Sequence, residues 1–205
     1  MAATLVSIIY GVTFTIAKDV MPEFIEPFGF ILLRVGGSVL LFWLVSFFGP
    51  KEKIAKSDFP RIIAAAFFGV ALNMLTFFKG LSYTSPIMGA VLMVTTPMIV
   101  LILSAIIMKE RMLKRKVFGI ILGLAGTVSL ILYGKSMINA PNEMLGNLLV
   151  FINAVSYGFY LIIVKKLMDK YNAFTFVKWI YTFGFLMVLP FGWNEFQAID
   201  FAHLP

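Results

Sequence analysis

The sequence contains no cysteine and a single histidine, and both shortages exclude classes of function. Without cysteine there is no disulfide framework, no thiolate metal site and no cysteine nucleophile. The one histidine, His203, is the third residue from the end of the sequence, where it cannot anchor a histidine-based metal site. We therefore expect neither a metal ion nor another cofactor.

Charge is also scarce, and acidic charge is missing from every long apolar stretch. Charged residues make up 13% of the chain and hydrophobic residues 60%, against about 25% and roughly 45–50% in a soluble domain. A carboxylate buried in the membrane is the usual proton carrier, and these stretches contain none. Metal catalysis and hydrolysis by a carboxylate pair lack residues too, so we do not expect an enzyme.

Seven apolar stretches are each long enough to cross a membrane, which takes about 17–25 residues of helix. Helices are expected because lipid tolerates only closed hydrogen-bonding schemes, and runs such as 99–103 lack the alternation of a barrel strand. The first stretch has no basic leader and no cleavage site, so we interpret it as a span rather than a signal peptide. The predicted fold class is an all-α integral membrane bundle. Numbered one to seven, the spans are 1–17, 28–48, 62–78, 86–108, 117–134, 145–164 and 174–193.

Basic residues are distributed unevenly between the connections. Twelve of the 17 lysines and arginines lie after spans two, four and six, and three lie in the other connections. Basic residues collect on the cytoplasmic side of membrane proteins, so we expect a cytoplasmic N-terminus and location in the cell (inner) membrane. The net charge of +7 is mostly this bias, and it gives no reason to expect nucleic acid as a partner.

One short pattern, Tyr-Gly followed by Lys and Met, begins at Tyr10 and again at Tyr157, at a constant offset of 147 residues. Five predicted crossings separate the copies, so the second copy enters the membrane upside down. Inverted repeats of this kind are typical of secondary transporters. A chance coincidence of these residues stays open as the alternative.

The polar turn at 139–142 is the natural boundary between two units. Residues 1–137 then form a first five-helix repeat, and residues 138–205 begin a second, inverted repeat with two helices. By this logic three of ten helices are missing, and we expect the chain to be incomplete.

Two cations, Arg34 and Lys178, lie inside spans. A charge within a span costs about 2.5–3.5 kcal/mol on insertion scales, which makes each a candidate for substrate binding. Both are shallow enough that a side chain reaching to the interface is the alternative. For Arg34 a further alternative is an ion pair with Glu23 or Glu26 across the turn.

Span four contains Thr95-Thr96-Pro97 midway along its length. Proline removes a helical N–H and kinks the helix, which leaves the Met93 carbonyl without its partner. Two hydroxyls beside a freed carbonyl at mid-membrane are typical of the discontinuous helices of substrate sites. The alternative is a kink that the threonine side chains satisfy by themselves.

Uncharged polar residues occur near the middle of spans three and six. They are Asn73 in span three and Asn153, Ser156, Tyr157 and Tyr160 in span six. The last four are spaced i, i+3, i+4 and i+7, so they share one helix face. We expect this stripe to line a substrate cavity. Contacts between helices are the alternative, at about 0.6 kcal/mol each.

Span five differs from the others because it is almost purely aliphatic. Its Gly119, Gly123 and Gly126 form a small-residue face, which favours tight helix packing over ligand contact. We therefore expect spans one to four, six and seven to surround a central cavity, with span five outside it.

Several short motifs occur in a fixed order along the first five spans. They are Tyr10-Gly11-Val12-Thr13-Phe14 leading to Lys18; Pro27 with Arg34; Gly80-Leu81-Ser82-Tyr83-Thr84-Ser85; Thr96-Pro97 followed by Lys109-Glu110-Arg111; and Gly119-Ile120-Ile121-Leu122-Gly123-Leu124-Ala125-Gly126. No single motif is specific, but the ordered set resembles the EamA-type branch of the drug/metabolite transporter superfamily. The pattern restarts at Leu145-Gly146. Tyr10 and Tyr157 depart from the family, whose members often carry Trp early in helices one and six.

The resemblance implies ten helices in two inverted repeats and a bacterial transporter that moves small organic metabolites by alternating access. A non-transporting membrane scaffold or accessory subunit is the alternative. A transporter should place its polar residues around one hollow, whereas a scaffold would bury them in pairs. We expect a small-molecule substrate, anionic or amino-acid-like because the spans hold two cations and no acid, and membrane lipid as the surroundings. A homodimer is left open.

Overall fold

The computed structural model describes residues 20–21, 24–50, 52–93, 95–107, 109, 113–133 and 142–200. Over these residues the chain is helical and forms no strand. Several predictions fall outside the described residues. They concern span one with the first copy of the repeated pattern, the residue Glu23, and most of the turn at 139–142. The helices are α1 (Pro27–Ser46), α2 (Phe59–Ala66), α3 (Leu72–Tyr83), α4 (Pro86–Met93), α5 (Thr96–Ile107), α6 (Lys114–Tyr133), α7 (Glu143–Met168) and α8 (Ala173–Gln197).

Four helical stretches in the described residues are long and apolar enough to cross a membrane, and they match predicted spans two, three, six and seven. They are Pro27–Ser46, Lys56–Tyr83, Glu143–Met168 and Ala173–Gln197. The two described helices of span four, Pro86–Met93 and Thr96–Ile107, are apolar but shorter. The predicted class, an all-α integral membrane protein, is confirmed.

Span three is continuous but not regular. A 3-10 turn at Lys56–Asp58 leads into α2, and a π-helical segment at Phe67–Ala71 joins α2 to α3. A π-helical segment inside an α-helix is rare and occurs often at functional sites. Nothing in the hydrophobic pattern of span three indicated this change of helix type.

Helices α1 and α8 form the most extensive pair, with Ile31 and Val35 of α1 and Ile180 and Val188 of α8 buried. The helices approach closely at Gly29, where an added Cβ would lie 3.1 Å from the Glu195 backbone. The closeness follows from the absence of a side chain at Gly29, since small residues let membrane helices approach each other.

A second close crossing joins α3 to α7, which lie on opposite sides of the predicted repeat boundary. A Cβ on either Gly80 or Gly146 would lie 2.9 Å from the other residue's carbonyl oxygen. Beside them, the buried Thr84 hydroxyl donates to Asn147 Oδ1 at 2.7 Å. Glycine is therefore required at both positions for this contact.

Helix α6 lies at the edge of the described bundle, with Phe118 70% and Tyr133 81% exposed. Its predicted packing face is realised only at Gly123, which contacts Met98. Gly119 and Gly126 have no described neighbour within 4 Å of an added Cβ, so packing along the rest of this face stays a prediction.

Candidate functional site

The Thr95-Thr96-Pro97 segment separates two helices rather than kinking one. Helix α4 ends at Met93 and α5 begins at Thr96, so Pro97 is the second residue of a new helix. Its missing N–H is tolerated there, because the first turn of a helix has no partner for it. Where a kink within one helix was predicted, α4 and α5 are thus separate helices, with Thr95 in a turn between them. The Thr95 hydroxyl donates to the Leu92 carbonyl at 2.7 Å and closes the end of α4.

An open cavity of about 700 Å³ lies between this break and α7. Three of the predicted site residues, Thr96, Pro97 and Tyr157, are in its wall. The remaining wall is apolar and consists of Met93, Val100, Leu101 and Leu161. The structure therefore brings together one hydroxyl, one proline and one tyrosine from facing helices around a single hollow. The described wall residues come from spans four and six, and none comes from α6 in span five. Spans two, three and seven, which were also expected to surround the cavity, contribute no described residue to this wall either.

Thr96 is the unusual member of this wall. Its side chain is buried, with 8% exposure, and among the described residues its hydroxyl has no hydrogen-bond partner. Buried polar groups are nearly always hydrogen-bonded. Thr96 therefore brings to the cavity wall a buried hydroxyl without a described partner.

Tyr157 is held in place by Tyr160, one turn further along α7. Their rings stack with centroids 5.8 Å apart. The Tyr160 ring in turn lies directly against Gly69 in the π-helical segment, where any added Cβ would collide with it. The missing side chain of Gly69 thus makes room for Tyr160, and Tyr160 stacks on the cavity residue Tyr157.

The other polar residues of the stripe form contacts between helices. Ser156 donates to the Phe68 carbonyl at 2.6 Å. Asn153 Nδ2 donates to the Asn73 carbonyl at 2.8 Å, and Asn73 Nδ2 donates to the Asn153 carbonyl at 3.4 Å. These three side chains therefore join α7 to span three and are not in the cavity wall.

Neither intramembrane cation lines the cavity. The Arg34 guanidinium lies 5.6 Å from the centre of the Phe78 ring, and it forms no ion pair with Glu26 or any other acid in the part of the chain that the structure describes. Lys178 Nζ lies 4.8 Å from the centre of the Trp43 ring and 3.4 Å from Ser46 Oγ. Lys178 thereby links α8 to α1.

Two acidic residues with clear structural roles were missed from the sequence. Glu195 Oε2 accepts from the backbone N–H groups of Phe28 and Gly29 at 2.6 and 2.8 Å, so it caps α1 from the far end of α8. Asp58 directly precedes α2, yet its side chain makes no capping bond. It accepts instead from Tyr171 at 2.8 Å and from Lys170 at 3.2 Å. Both partnerships span more than a hundred residues, and no local pattern indicates them.

The sequence is similar to a transporter family and to individual proteins described as transporters. The profile of the EamA-like transporter family matches residues 1–132 and 144–199. The uncharacterized transporter YetK of Bacillus subtilis is 28% identical over 174 residues, which are 84% of this chain and 52% of YetK. An uncharacterized transporter of Archaeoglobus fulgidus is 30% identical over 184 residues, 89% of this chain and 63% of that protein. YyaM of Bacillus subtilis, also an uncharacterized transporter, is 25% identical over 202 residues, 97% of this chain and 66% of its own length. The chain thus spans from about half to two thirds of these relatives, and no solved structure matches it significantly.

Proposed function

Because the chain belongs to the EamA-like transporter family, we propose that it is a secondary transporter of small organic metabolites that works by alternating access. The observation that carries this proposal is the cavity beside the α4–α5 break, with Thr96 and Tyr157 on facing helices. Interrupted helices lining a hollow near mid-membrane are typical of transporter substrate sites. The family match and the apolar helices support a multi-pass membrane protein of a transporter family.

We also propose the arrangement in the membrane, with a bacterial cytoplasmic membrane as location and the N-terminus inside. Two loops that the charge distribution assigns to the cytoplasm meet in the structure. Glu52 Oε2 accepts from the Asn172 N–H at 2.9 Å, and Asp58 binds Lys170. A shared face is what supports placing both loops on one side of the membrane.

The division into two units is likewise a proposal: residues 1–137 as the first five-helix repeat and 138–205 as the start of the second. What supports it is that the family profile matches two separate stretches. The close α3–α7 crossing at Gly80 and Gly146 would then be a contact between the two repeats.

Arg34 remains our candidate for recognising an anionic group, at a position outside the cavity wall. A guanidinium binds a carboxylate through two parallel hydrogen bonds, which a lysine cannot do. The contact with the Phe78 ring leaves the Arg34 side chain exposed at the surface of the described bundle. Its place on α1 separates it from the wall formed by α4, α5 and α7.

A non-transporting scaffold is the second candidate, and the paired contacts of Asn73, Asn153 and Ser156 favour it. In a transporter the cavity carries a solute across the membrane, whereas in a scaffold no solute crosses. We expect proteoliposomes containing the full chain to take up at least one solute of a metabolite panel. Tyr157→Ala should abolish that uptake, and Phe118→Ala on the exposed side of α6 should not change it. A scaffold would move no solute although it folds and inserts normally.

A further inference from the structure

The cavity between α5 and α7 also restricts the kind of molecule that fits it. No lining residue that the structure describes carries a charge, and only Thr96 and Tyr157 have polar side chains. We infer that this site takes an uncharged, mainly apolar organic molecule that forms one hydrogen bond with the Thr96 hydroxyl. The inference rests on the proposed transport function and names the substrate class of the same site.

The two neighbouring threonines show why Thr96 is the polar contact. The Thr95 hydroxyl is already used, because it donates to the Leu92 carbonyl at 2.7 Å. The Thr96 hydroxyl is equally buried and has no partner among the described residues. An unpaired buried hydroxyl is unfavourable. A bound hydroxyl, amide or carbonyl group would relieve this, and a hydrocarbon would not.

An anion does not suit the same place. It would lose its water without gaining a countercharge from the described wall, which is strongly unfavourable in an apolar environment. Neither cation inside the spans is in this wall, since Arg34 lies at Phe78 and Lys178 at Trp43. The volume of about 700 Å³ falls within the roughly 300–1,000 Å³ that ligand pockets usually have. Size therefore permits an organic molecule, and charge is the property that selects.

The test is photolabelling of the full chain in lipid nanodiscs with three matched probes. They are trifluoromethyl aryl diazirines that differ in one group, which is a hydroxymethyl, a methyl or a carboxylate. Labelled positions are mapped by mass spectrometry. Labelling of Met93 and Leu101 reports the cavity, and labelling of the exposed residues Ile121 and Leu122 on α6 reports simple partition into lipid.

We expect the hydroxymethyl probe to label the cavity saturably, and the carboxylate probe to bind at least tenfold more weakly. Thr96→Val should weaken the hydroxymethyl probe by roughly 2- to 10-fold, the loss expected for one neutral hydrogen bond, and should leave the methyl probe unchanged. Thr96→Ser keeps the hydroxyl and should bind normally. The matched control is Thr76→Val, whose hydroxyl is bonded to the Leu72 carbonyl of its own helix.

Three results would overturn the inference. These are equal labelling by the carboxylate probe, no effect of Thr96→Val, and labelling that does not saturate and is equal on α6. Uptake by proteoliposomes is measured separately. A chain that transports solutes but prefers the carboxylate probe would refute this inference and keep the transport function. A chain that binds the hydroxymethyl probe but moves no solute would refute transport and keep the site.

Discussion

Asn73 and Asn153 each donate a side-chain N–H to the other's backbone carbonyl, at 3.4 and 2.8 Å. The pair joins α3 to α7 across the proposed repeat boundary, next to the Ser156–Phe68 bond. The polar stripe of α7 is therefore divided: Asn153 and Ser156 hold helices together, while Tyr157 turns to the cavity. A single helix face thus carries both roles that the sequence left open.

Removing the Asn153 amide should loosen the contact between α3 and α7. We expect Asn153→Ala to destabilise the protein by about 0.5–2 kcal/mol, because hydrogen bonds between membrane helices average about 0.6 kcal/mol and reach about 1.7. Unfolding in mixed detergent micelles measures the change. The control is Asn194→Ala near the exposed end of α8, which should be neutral. An equal effect of both variants would contradict the proposed role of the pair.

The crossing of α3 and α7 at Gly80 and Gly146 should not tolerate a side chain. Gly146→Ala places a Cβ 2.9 Å from the Gly80 carbonyl oxygen and from Thr84. Overpacking of this kind costs about 1–3 kcal/mol. Gly119→Ala is the matched control, because an added Cβ there meets no described atom within 4 Å. It should be neutral, or stabilising by up to about 1 kcal/mol through helix propensity. The same unfolding assay compares the two, and a harmless Gly146→Ala would show that the helices can move apart freely.

Glu195 should stabilise α1 by capping it. Glu195→Ala removes the acceptor for the Phe28 and Gly29 N–H groups, and the loss of a cap costs about 0.5–2 kcal/mol. Glu195→Gln keeps an acceptor oxygen and should lose less. Hydrogen exchange at Phe28 and Gly29 provides a local readout, since both amides should exchange faster in Glu195→Ala. Unchanged exchange at these two amides would rule out the cap.

The Asp58 cluster should behave as one unit at the loop end of the bundle. Its carboxylate accepts from Tyr171 at 2.8 Å and pairs with Lys170 and Arg61 at 3.2 and 3.3 Å. We expect Asp58→Asn and Tyr171→Phe each to lower thermal stability, with a double variant no less stable than the worse single one. Lys170→Ala should have the smallest effect because that side chain is 55% exposed and exposed ion pairs contribute little. Strict additivity in this cycle would show that the contacts are independent.

Local features of the chain could be predicted from the sequence, and features that depend on distant partners could not. Apolar length predicted spans two, three, six and seven. Helical spacing placed Asn153, Ser156 and Tyr157 on one helix face, but it could not tell that Tyr157 alone of these three lies in the cavity wall. The π-helical segment at Phe67–Ala71 leaves no mark in hydrophobicity. Glu195 caps a helix 166 residues away, so its role depends on how α1 and α8 pack. The charge of Lys178 indicated a ligand, but its described partners are the Trp43 ring and the Ser46 hydroxyl of α1.

The role of Arg34 separates two explanations that the described structure leaves side by side. The first is anion recognition, in which case Arg34→Lys should weaken uptake of an anionic solute by about 10- to 150-fold, corresponding to about 1.5–3 kcal/mol for a charge-assisted hydrogen bond. Uptake of uncharged solutes should then be unchanged, since Arg34 is not in the cavity wall.

The second explanation is packing of Arg34 on Phe78, at 5.6 Å from the ring centre, a contact worth roughly 0.5–1 kcal/mol at an exposed site. In that case Arg34→Lys should be mild, and Arg34→Ala and Phe78→Leu should share one stability defect that does not add in the double variant. Phe78 is buried among the core residues, so Phe78→Leu should destabilise the protein in either case. Two results together would therefore decide for the packing role: a lack of additivity in the double variant, and normal anion uptake in Arg34→Lys.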